Sequence, residues 1–447
     1  MHPKYQPLEF ATDAARMRSL IEKELQRLWG NSTAIREFWV TRVFPRRNGR
    51  FAIQYELIFG DSQNRYGRKL FFCGNLLGPG EKWPWYADRN NKNVITFRDI
   101  RLVIPIFPYD PKLKHLAEMV EPIKTAGFEE CIRNHIDPGA KELRVSGYEI
   151  LGYRLERRCV IRYSMEKPVG SSGGSRQSHL IAKVFRPGRA IDPFRKLEWL
   201  WHHGFGHDAA DGMTVPQIFH CDDDRGIIVM ENAPGISLHH LLGDPSFERA
   251  CGLAAGFLNK LHSLKTPDAQ PYSNTNEIET IQNKIELCKD IFPAIGERLL
   301  TIFEKLSCER DRFDENISAC IHGDFHDKQV LYSVKRSALL DCDNMKLADP
   351  ASDYGNFLAH LILRRIQFPE LAGNIEAGMR TFARTYAEDN DDFKLRVRWW
   401  VAATLVRLAV LYSLRPRWRA YVPDILQETG RTLERKNFKY GGIDAVY

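Results

Sequence analysis

The sequence predicts an α+β chain of two lobes, the first rich in strands and the second helical. Three observations lead there. Alternating apolar runs bounded by turn residues crowd the chain as far as Glu231. A break follows at Asn232–Gly235, and from Leu238 onward apolar residues recur mostly at helical spacing. A strand-rich half and a helical half joined at one break argue for two lobes with a cleft between them.

The elements follow in order. Thr12–Trp29 carries Met17, Leu20, Ile21, Leu25 and Leu28 at helical spacing and stops at Gly30, so it reads as a helix. Strands are expected at Glu37–Val43, Arg50–Phe59, Lys69–Gly74, Val94–Phe97 and Leu102–Ile106, separated by turn-rich pieces. Pro111–Thr125 and Glu129–Asn134 read as helical. Gly170–Ser178 reads as a flexible loop, since it lacks the spacing of a phosphate-cradling loop. Phe194–His203 reads as a helix, and Ile218–His220 and Gly226–Glu231 as strands. Helices are then expected at Phe247–Leu264, Thr275–Asp290, Ala294–Leu306, Tyr354–Arg364, Leu371–Tyr386, Phe393–Leu414 and Tyr421–Thr432.

A weak internal repeat runs through the strand-rich half. Residues 42–76 resemble residues 151–185, with Tyr55 against Tyr163 and Arg50 against Arg158. Lys183 stands in the second copy, while the matching place in the first lies near Cys73. The chain then divides into an N-terminal α+β domain (1–125, a degenerate copy if the repeat holds), a second strand-rich lobe (126–235) and a helical lobe (236–447).

Composition narrows the function classes. With 447 residues, 43% of them hydrophobic, the chain is long enough for several domains with buried cores. The net charge of +7 is spread without a basic run, which argues against nucleic-acid binding. Nine cysteines, with no C-x-x-C pair, read as free thiols of a reducing compartment. No signal-peptide core appears, and Arg407 interrupts the longest apolar stretch, Trp399–Leu414. A soluble cytoplasmic protein without membrane contact is expected; the oligomeric state is open.

Chemistry concentrates in Ile321–Val330 (IHGDFHDKQV) and the stretch that follows. Asp324 stands on a glycine-containing turn between His322 and His326. Asp341 follows an apolar run 17 positions later, the length of a short hairpin. The first acid can orient or deprotonate a hydroxyl, and the second can hold Mg²⁺ beside phosphate oxygens. Asp343 is either a helper or a solvated neighbour. Lys183, inward on the alternating strand LIAKVF, is costly to bury without a partner, which suits a phosphate-binding role.

Residues 322–329 (HGDFHDKQ) resemble the HGDxHxxN catalytic loop of the aminoglycoside phosphotransferase and choline kinase-like family. Residues 339–361 resemble that family's IDFDxxxxGDPxxD segment. The IAKVF strand, the IIVMENAPG strand and break, and the helix ending LNKLH fall in family order, so the resemblance covers roughly 140–447. It implies a bilobal protein kinase-like fold, here with the extra N-terminal domain. It also implies ATP or GTP as co-substrate, Mg²⁺, and transfer of phosphate to a hydroxyl of a small molecule such as a sugar, amino alcohol or aminoglycoside.

Carried onto this chain, the resemblance makes Asp324 the catalytic base, His322 a holder of the loop, Asp341 a metal ligand and Lys183 the partner of the nucleotide phosphates. Glu198 is the expected ion-pair partner of Lys183. Met230–Ala233 is the expected hinge, with Glu231 and Ala233 offering backbone groups to the base. Asp349 and Asp353 are expected to cap the following helix or bond the catalytic loop. Gln329 departs from the family pattern, which has Asn; its amide sits one methylene farther out, reaching the metal or losing it. The segment GYRLERR (152–158) replaces a glycine-rich loop, and Arg157 or Arg158 could meet phosphate. These two departures leave a second reading, a catalytically weak nucleotide-binding pseudokinase or regulatory module. Trp399, Trp400 and Tyr412 are either core or a stacking surface for an acceptor, and Glu388–Asp392 is either a solvated turn or an attractor for a cationic one.

Overall fold

The computed structural model describes residues 5–30, 33–46, 49–60, 69–88, 90–120, 144–166, 178–265, 271–310, 318–386 and 390–434. The expected helix Glu129–Asn134, the loop at 170–177 and residues 388–389 of the acidic turn lie outside them. The chain is α+β and divides into two compact units. One comprises residues 1–195, 217–232 and 414–417; the other holds the remainder.

The first unit opens with α1 (Gln6–Thr12) and α2 (Ala14–Trp29). Asp13 separates them and caps α2, its carboxylate accepting from the Arg16 amide at 3.0 Å. Met17, Ile21 and Leu25, spaced by four, form the buried stripe of α2. A five-stranded antiparallel sheet follows: β1 (Ile35–Pro45), β2 (Phe51–Phe59), β3 (Leu70–Leu76), β4 (Val94–Phe97) and β5 (Leu102–Pro105), in the order 1-2-3-5-4. Short α3 (Leu116–Val120) leads to a second sheet. It contains β6 (Arg144–Arg154), β7 (Arg158–Glu166), β8 (Ser178–Phe185), β10 (Ile218–Asp222) and β11 (Ile227–Glu231), in the order 6-7-8-11-10.

The two sheets have one topology, and the strand register gives the repeat its scale. Tyr55 pairs with Phe72 and Val40 in the first sheet; Tyr163 pairs with Leu180 and Tyr148 in the second. Each corresponding pair of residues is 108 positions apart. Tyr55 donates its hydroxyl to the Ala11 carbonyl at 2.8 Å, and Tyr163 to the Met119 carbonyl at 2.5 Å. Ala11 and Met119 are again 108 apart. At this register the counterpart of Lys183 is Asn75, because Lys183 pairs with Val160 and Asn75 with Ala52. The sequence comparison had pointed near Cys73, two residues off, because it counted along the chain without the strand pairing.

The second unit is helical around two small sheets. One contains β9 (Met213–Thr214), β12 (Ile236–Ser237), β15 (Val330–Tyr332) and β16 (Ser337–Leu339). The other contains β13 (Pro271–Tyr272), β14 (Ala319–Ile321) and β17 (Lys346–Ala348). The first-unit strand β8 is followed by α4 (Ile191–Leu200), which runs into the second unit. The helices of that unit are α5 (Phe247–His262), α6 (Asn274–Ile291), α7 (Pro293–Arg310), α8 (Ala351–Gln367), α9 (Ala372–Thr385), α10 (Asp391–Ser413) and α11 (Val422–Glu434). Helix α10 is buried around most of its circumference from Arg396 onward, as a central helix should be. It packs on α8 at Gly355, where an added Cβ would lie 2.6 Å from the Trp400 Cβ. Trp399 and Trp400 are core residues, their indole N–H groups donating to the Leu306 carbonyl and the Asp349 carboxylate. Tyr412 is buried with them. No helix among the described residues is long and apolar enough to cross a membrane.

Candidate active site

Strand β14 ends at Ile321, paired with Lys346 of β17, and the chain turns at once through His322, Gly323 and Asp324. Gly323 has φ +78°, and a Cβ there would lie 2.6 Å from the Asn344 carbonyl oxygen, so the turn admits only glycine without strain. Asp353, in the first turn of α8, accepts the His322 N–H at 2.6 Å and the Gly323 N–H at 2.9 Å. His262, the last residue of α5, stands 3.4 Å from the same carboxylate and 2.8 Å from the Tyr386 hydroxyl. Burial works to raise the Asp353 carboxyl; the hydrogen bond and charge of His262, with His322, outweigh it and hold the group below its ordinary range.

His322 is fully buried and spans both halves of the site. Its Nδ1 accepts from the Asp324 N–H at 3.3 Å, and its Nε2 donates to the Leu340 carbonyl at 2.8 Å. Those bonds require the Nε2–H tautomer. The side chain thus joins the turn of Asp324 to the residue before Asp341. Between them lies the expected hairpin, with Val330 of β15 paired to Leu339 of β16. The Leu340 N–H then donates to the Gln329 carbonyl at 2.7 Å, which sets Gln329 opposite the start of the acidic segment. Asp341 follows with φ 57° and ψ 44°, a left-handed conformation that aspartate tolerates better than most residues. The carbonyl of Asp343 accepts from Lys196 Nζ at 2.9 Å.

The sequence signature of the phosphotransferase enzyme family matches residues 171–389. Residues 171–389 belong to the phosphotransferase enzyme family. No curated protein matches the chain in sequence. Among solved structures, the chain is similar to an apo thermostable mutant of aminoglycoside phosphotransferase APH(4)-Ia, at 15% identity and TM-score 0.48, over 68% of this chain and 98% of that one. It is also similar to a choline/ethanolamine kinase family protein from Mesorhizobium loti, at 14% identity and TM-score 0.43, over 70% and 96%. A GDP complex of wild-type aminoglycoside 2'-phosphotransferase-IIIa aligns at 15% identity and TM-score 0.41, over 68% and 97%.

The phosphotransferase signature spans Lys183, Glu198, Glu231, Ala233, His322, Asp324, Gln329 and Asp341. In the first unit, Lys183 is buried on β8 between Val160 and Ile228. Glu231 ends β11; its N–H donates to the Gln217 carbonyl at 2.8 Å, and its carboxylate accepts the Gln217 N–H at 3.2 Å. The chain passes from one unit to the other between Asn232 and Ala233, within the predicted hinge. Glu198, expected as the partner of Lys183, stands on the part of α4 that belongs to the second unit. Glu198 is exposed, and no hydrogen bond or ion pair of it occurs among the described residues. The reason is angular: Pro193, Leu197 and Leu200 turn inward on α4, and the residue after Leu197 points about 100° away.

Three contributors escaped the sequence reading. Asp327 is fully buried and takes Arg364 through two bonds of 2.7 and 3.1 Å and His239 Nδ1 at 2.8 Å. Burial opposes its charge, yet the Arg364 guanidinium and the His239 and His326 bonds hold the carboxyl well below its usual range. His360 stacks on His326 at 4.5 Å between ring centres, and burial first, then the neighbouring His326 and Arg364 charges, push its imidazole well below the ordinary value. His326, Asp327 and His360 lie close enough to hold a cation. Arg364 and His239 already occupy both oxygens of Asp327, however, so the donor set does not suit one. His262 is the third contributor; its place at the end of α5 was visible in the sequence, but its bond to Asp353 was not. Of the two acids in ADPASD, Asp353 bonds the turn of His322 and Gly323. Asp349 instead caps α8 through the Ala351 N–H at 2.9 Å and pairs with the buried Arg396.

Proposed function

We infer that the chain transfers a phosphoryl group from ATP or GTP to a hydroxyl of a small molecule, a sugar, amino alcohol or aminoglycoside. The observation that carries this reading is His322, which bonds the turn of Asp324 on one side and the residue before Asp341 on the other. One buried imidazole that ties the backbone of Asp324 to that of Leu340, the residue before Asp341, suits a reaction whose demands are positioning and charge neutralisation. In this reading Asp324 aligns the acceptor hydroxyl and receives its proton late, and His322 holds the loop. Lys183 meets the nucleotide phosphates from β8, and the backbone of Glu231 and Ala233 meets the base. The Asp341 carboxylate and the Gln329 amide oxygen are hard oxygen donors one hydrogen-bonded rung apart, a set that fits Mg²⁺. Charge neutralisation on the transferring group is the chemistry a bound Mg²⁺ would supply. Residues 126–235 serve as the nucleotide lobe, 236–447 as the catalytic and acceptor lobe, and 1–125 as an added N-terminal domain.

One observation favours a second reading. The Gln329 amide nitrogen lies 3.3 Å from His326 Nε2, an engagement that competes with metal binding and would leave a weak, nucleotide-binding protein. Turnover separates the two. Purified protein with Mg²⁺, ATP or GTP and a panel of sugars, amino alcohols and aminoglycosides should transfer phosphate, and Asp324→Asn should abolish the transfer. Nucleotide binding without transfer to any acceptor would establish the second reading instead.

A further inference from the structure

The face of the first sheet that corresponds to the Lys183 face of the second is not bare. In the second copy that face carries Val160 and Lys183; in the first it carries Ala52, Gln54, Cys73 and Asn75. The turn between β6 and β7 lies over it. Asn75 Nδ2 reaches Glu156 Oε1 at 3.3 Å, Lys112 Nζ reaches Glu156 Oε2 at 2.8 Å, and the Glu156 N–H donates to Asp110 at 2.8 Å. Arg46 reaches across to the Leu155 carbonyl at 3.2 Å. Beside these contacts the two copies enclose a cavity of about 150 Å³.

Its lining has three parts. Phe44, Ala52 and Leu155 make an apolar floor, and the cationic residues Arg46, Arg154 and Arg157 also line the cavity. Gln54 lines it as well, is 3% exposed, and its side-chain oxygen has no partner among the described residues. A buried amide oxygen without a donor costs about 1–3 kcal/mol, so the site is arranged for a donor that the described residues do not supply. Glu156 lies among these arginines, and its carboxylate is taken by Asn75 and Lys112. Burial, and after it the like charge of Arg157, hold the Arg46 guanidinium below its ordinary value, as an excess of positive charge should.

We propose that this cavity binds a small organic anion, a phosphate or carboxylate on a compact apolar body, in the place where the second copy of the repeat carries Lys183. The arginines hold the anionic group, the apolar floor takes the body, and the Gln54 oxygen accepts a hydroxyl or amine of the ligand. The site joins the first copy to the turn between β6 and β7, so an occupant fixes that turn. It assigns Arg157 to this cavity and away from the nucleotide phosphates. The cavity stands whether or not the chain transfers phosphate.

Phenyl phosphate carries both features and is the probe. Titrated calorimetrically into the full chain, it should bind one equivalent, while phenol should not bind. Arg157→Glu, at an exposed position, should weaken binding at least tenfold without altering the melting temperature, and Ala52→Leu should fill the floor and abolish it. Lys183→Ala should leave the affinity unchanged. Absence of binding, equal binding of phenol, indifference to Arg157→Glu, or loss in Lys183→Ala would each overturn the proposal, the last by moving the ligand to the second copy.

Discussion

At the scale of single residues, the proposed site separates groups assigned to chemistry from groups that hold them. Asp324→Asn removes the proposed base while its backbone bond to His322 remains, so stability should stay within about 0.5 kcal/mol while the rate falls ~10²–10⁴-fold. Asp353→Asn should behave oppositely. It leaves the reacting groups in place but weakens two buried N–H bonds and the contact to His262, costing about 1–3 kcal/mol, with a smaller loss of rate. Urea unfolding and steady-state kinetics on both variants test the division; equal loss of stability in the two would refute it. Gly323→Ala combines a positive φ with a close carbonyl and should cost about 1–3 kcal/mol. Asp327 gives a pH signature. Its carboxyl is held well below the ordinary 3.8, so its contribution to stability is complete above that value and fades as pH falls toward the folded-state pKa. Asp327→Asn should therefore flatten the fall of stability below pH 3.8. It should also cost about 3–5 kcal/mol near neutrality, because Arg364 is left buried without its charge partner. Urea midpoints from pH 3 to pH 7 measure both effects, and parallel curves for the variant and the parent would refute the assignment.

At the scale of elements, legibility followed the physics of each signal. Helix α2 was readable because Met17, Ile21 and Leu25 repeat at one period, and β4 because Val94–Phe97 is an apolar run between turn residues. The hairpin between Asp324 and Asp341 was readable because the acids sit close together in the chain with an apolar strand between them. The contacts that hold it were not. Asp353 reaches His322 across 31 positions and Arg364 reaches Asp327 across 37, and no local pattern encodes either distance. The exposure of Glu198 was hidden for a related reason. Choosing it required knowing which face of α4 turns inward, and its neighbours Leu197 and Leu200 took that face. Trp399, Trp400 and Tyr412 lay at helical spacing that suited either core or ligand, and burial decided for core. Lys183 sits between these cases: an inward lysine on an apolar strand was visible from alternation alone, while its counterpart in the first copy emerged only from strand register.

At the scale of the whole chain, the two five-stranded sheets of the first unit are tied through one carboxylate. Asp110 follows the first sheet and is 5% exposed. Its Oδ1 accepts the Lys112 and Leu113 N–H groups at 2.8 and 2.9 Å, and its Oδ2 accepts the Tyr153 hydroxyl and the Glu156 N–H, both at 2.8 Å. Two of those donors belong to the segment leading out of the first copy, and two to the first hairpin of the second. Burial pushes the Tyr153 hydroxyl well above its ordinary pKa, and the Asp110 charge adds to the shift, so that hydroxyl is a donor at any working pH. Asp110→Ala would leave four donors unpaired in a buried place, each costing about 1–3 kcal/mol if water cannot reach it. Partial hydration reduces the sum, and a loss of about 3 kcal/mol or more is the expected outcome. Asp110→Asn keeps one accepting oxygen and should lose roughly half as much. If the two copies fold as one unit, both variants should shift a single unfolding transition, followed through tryptophan fluorescence and far-ultraviolet circular dichroism. Should the two probes instead separate in Asp110→Ala, the first copy would be unfolding by itself, and the carboxylate would be a latch between independently stable halves. An unchanged midpoint in Asp110→Ala would mean that the four bonds contribute nothing net, and the joint between the copies would have to rest on apolar packing alone.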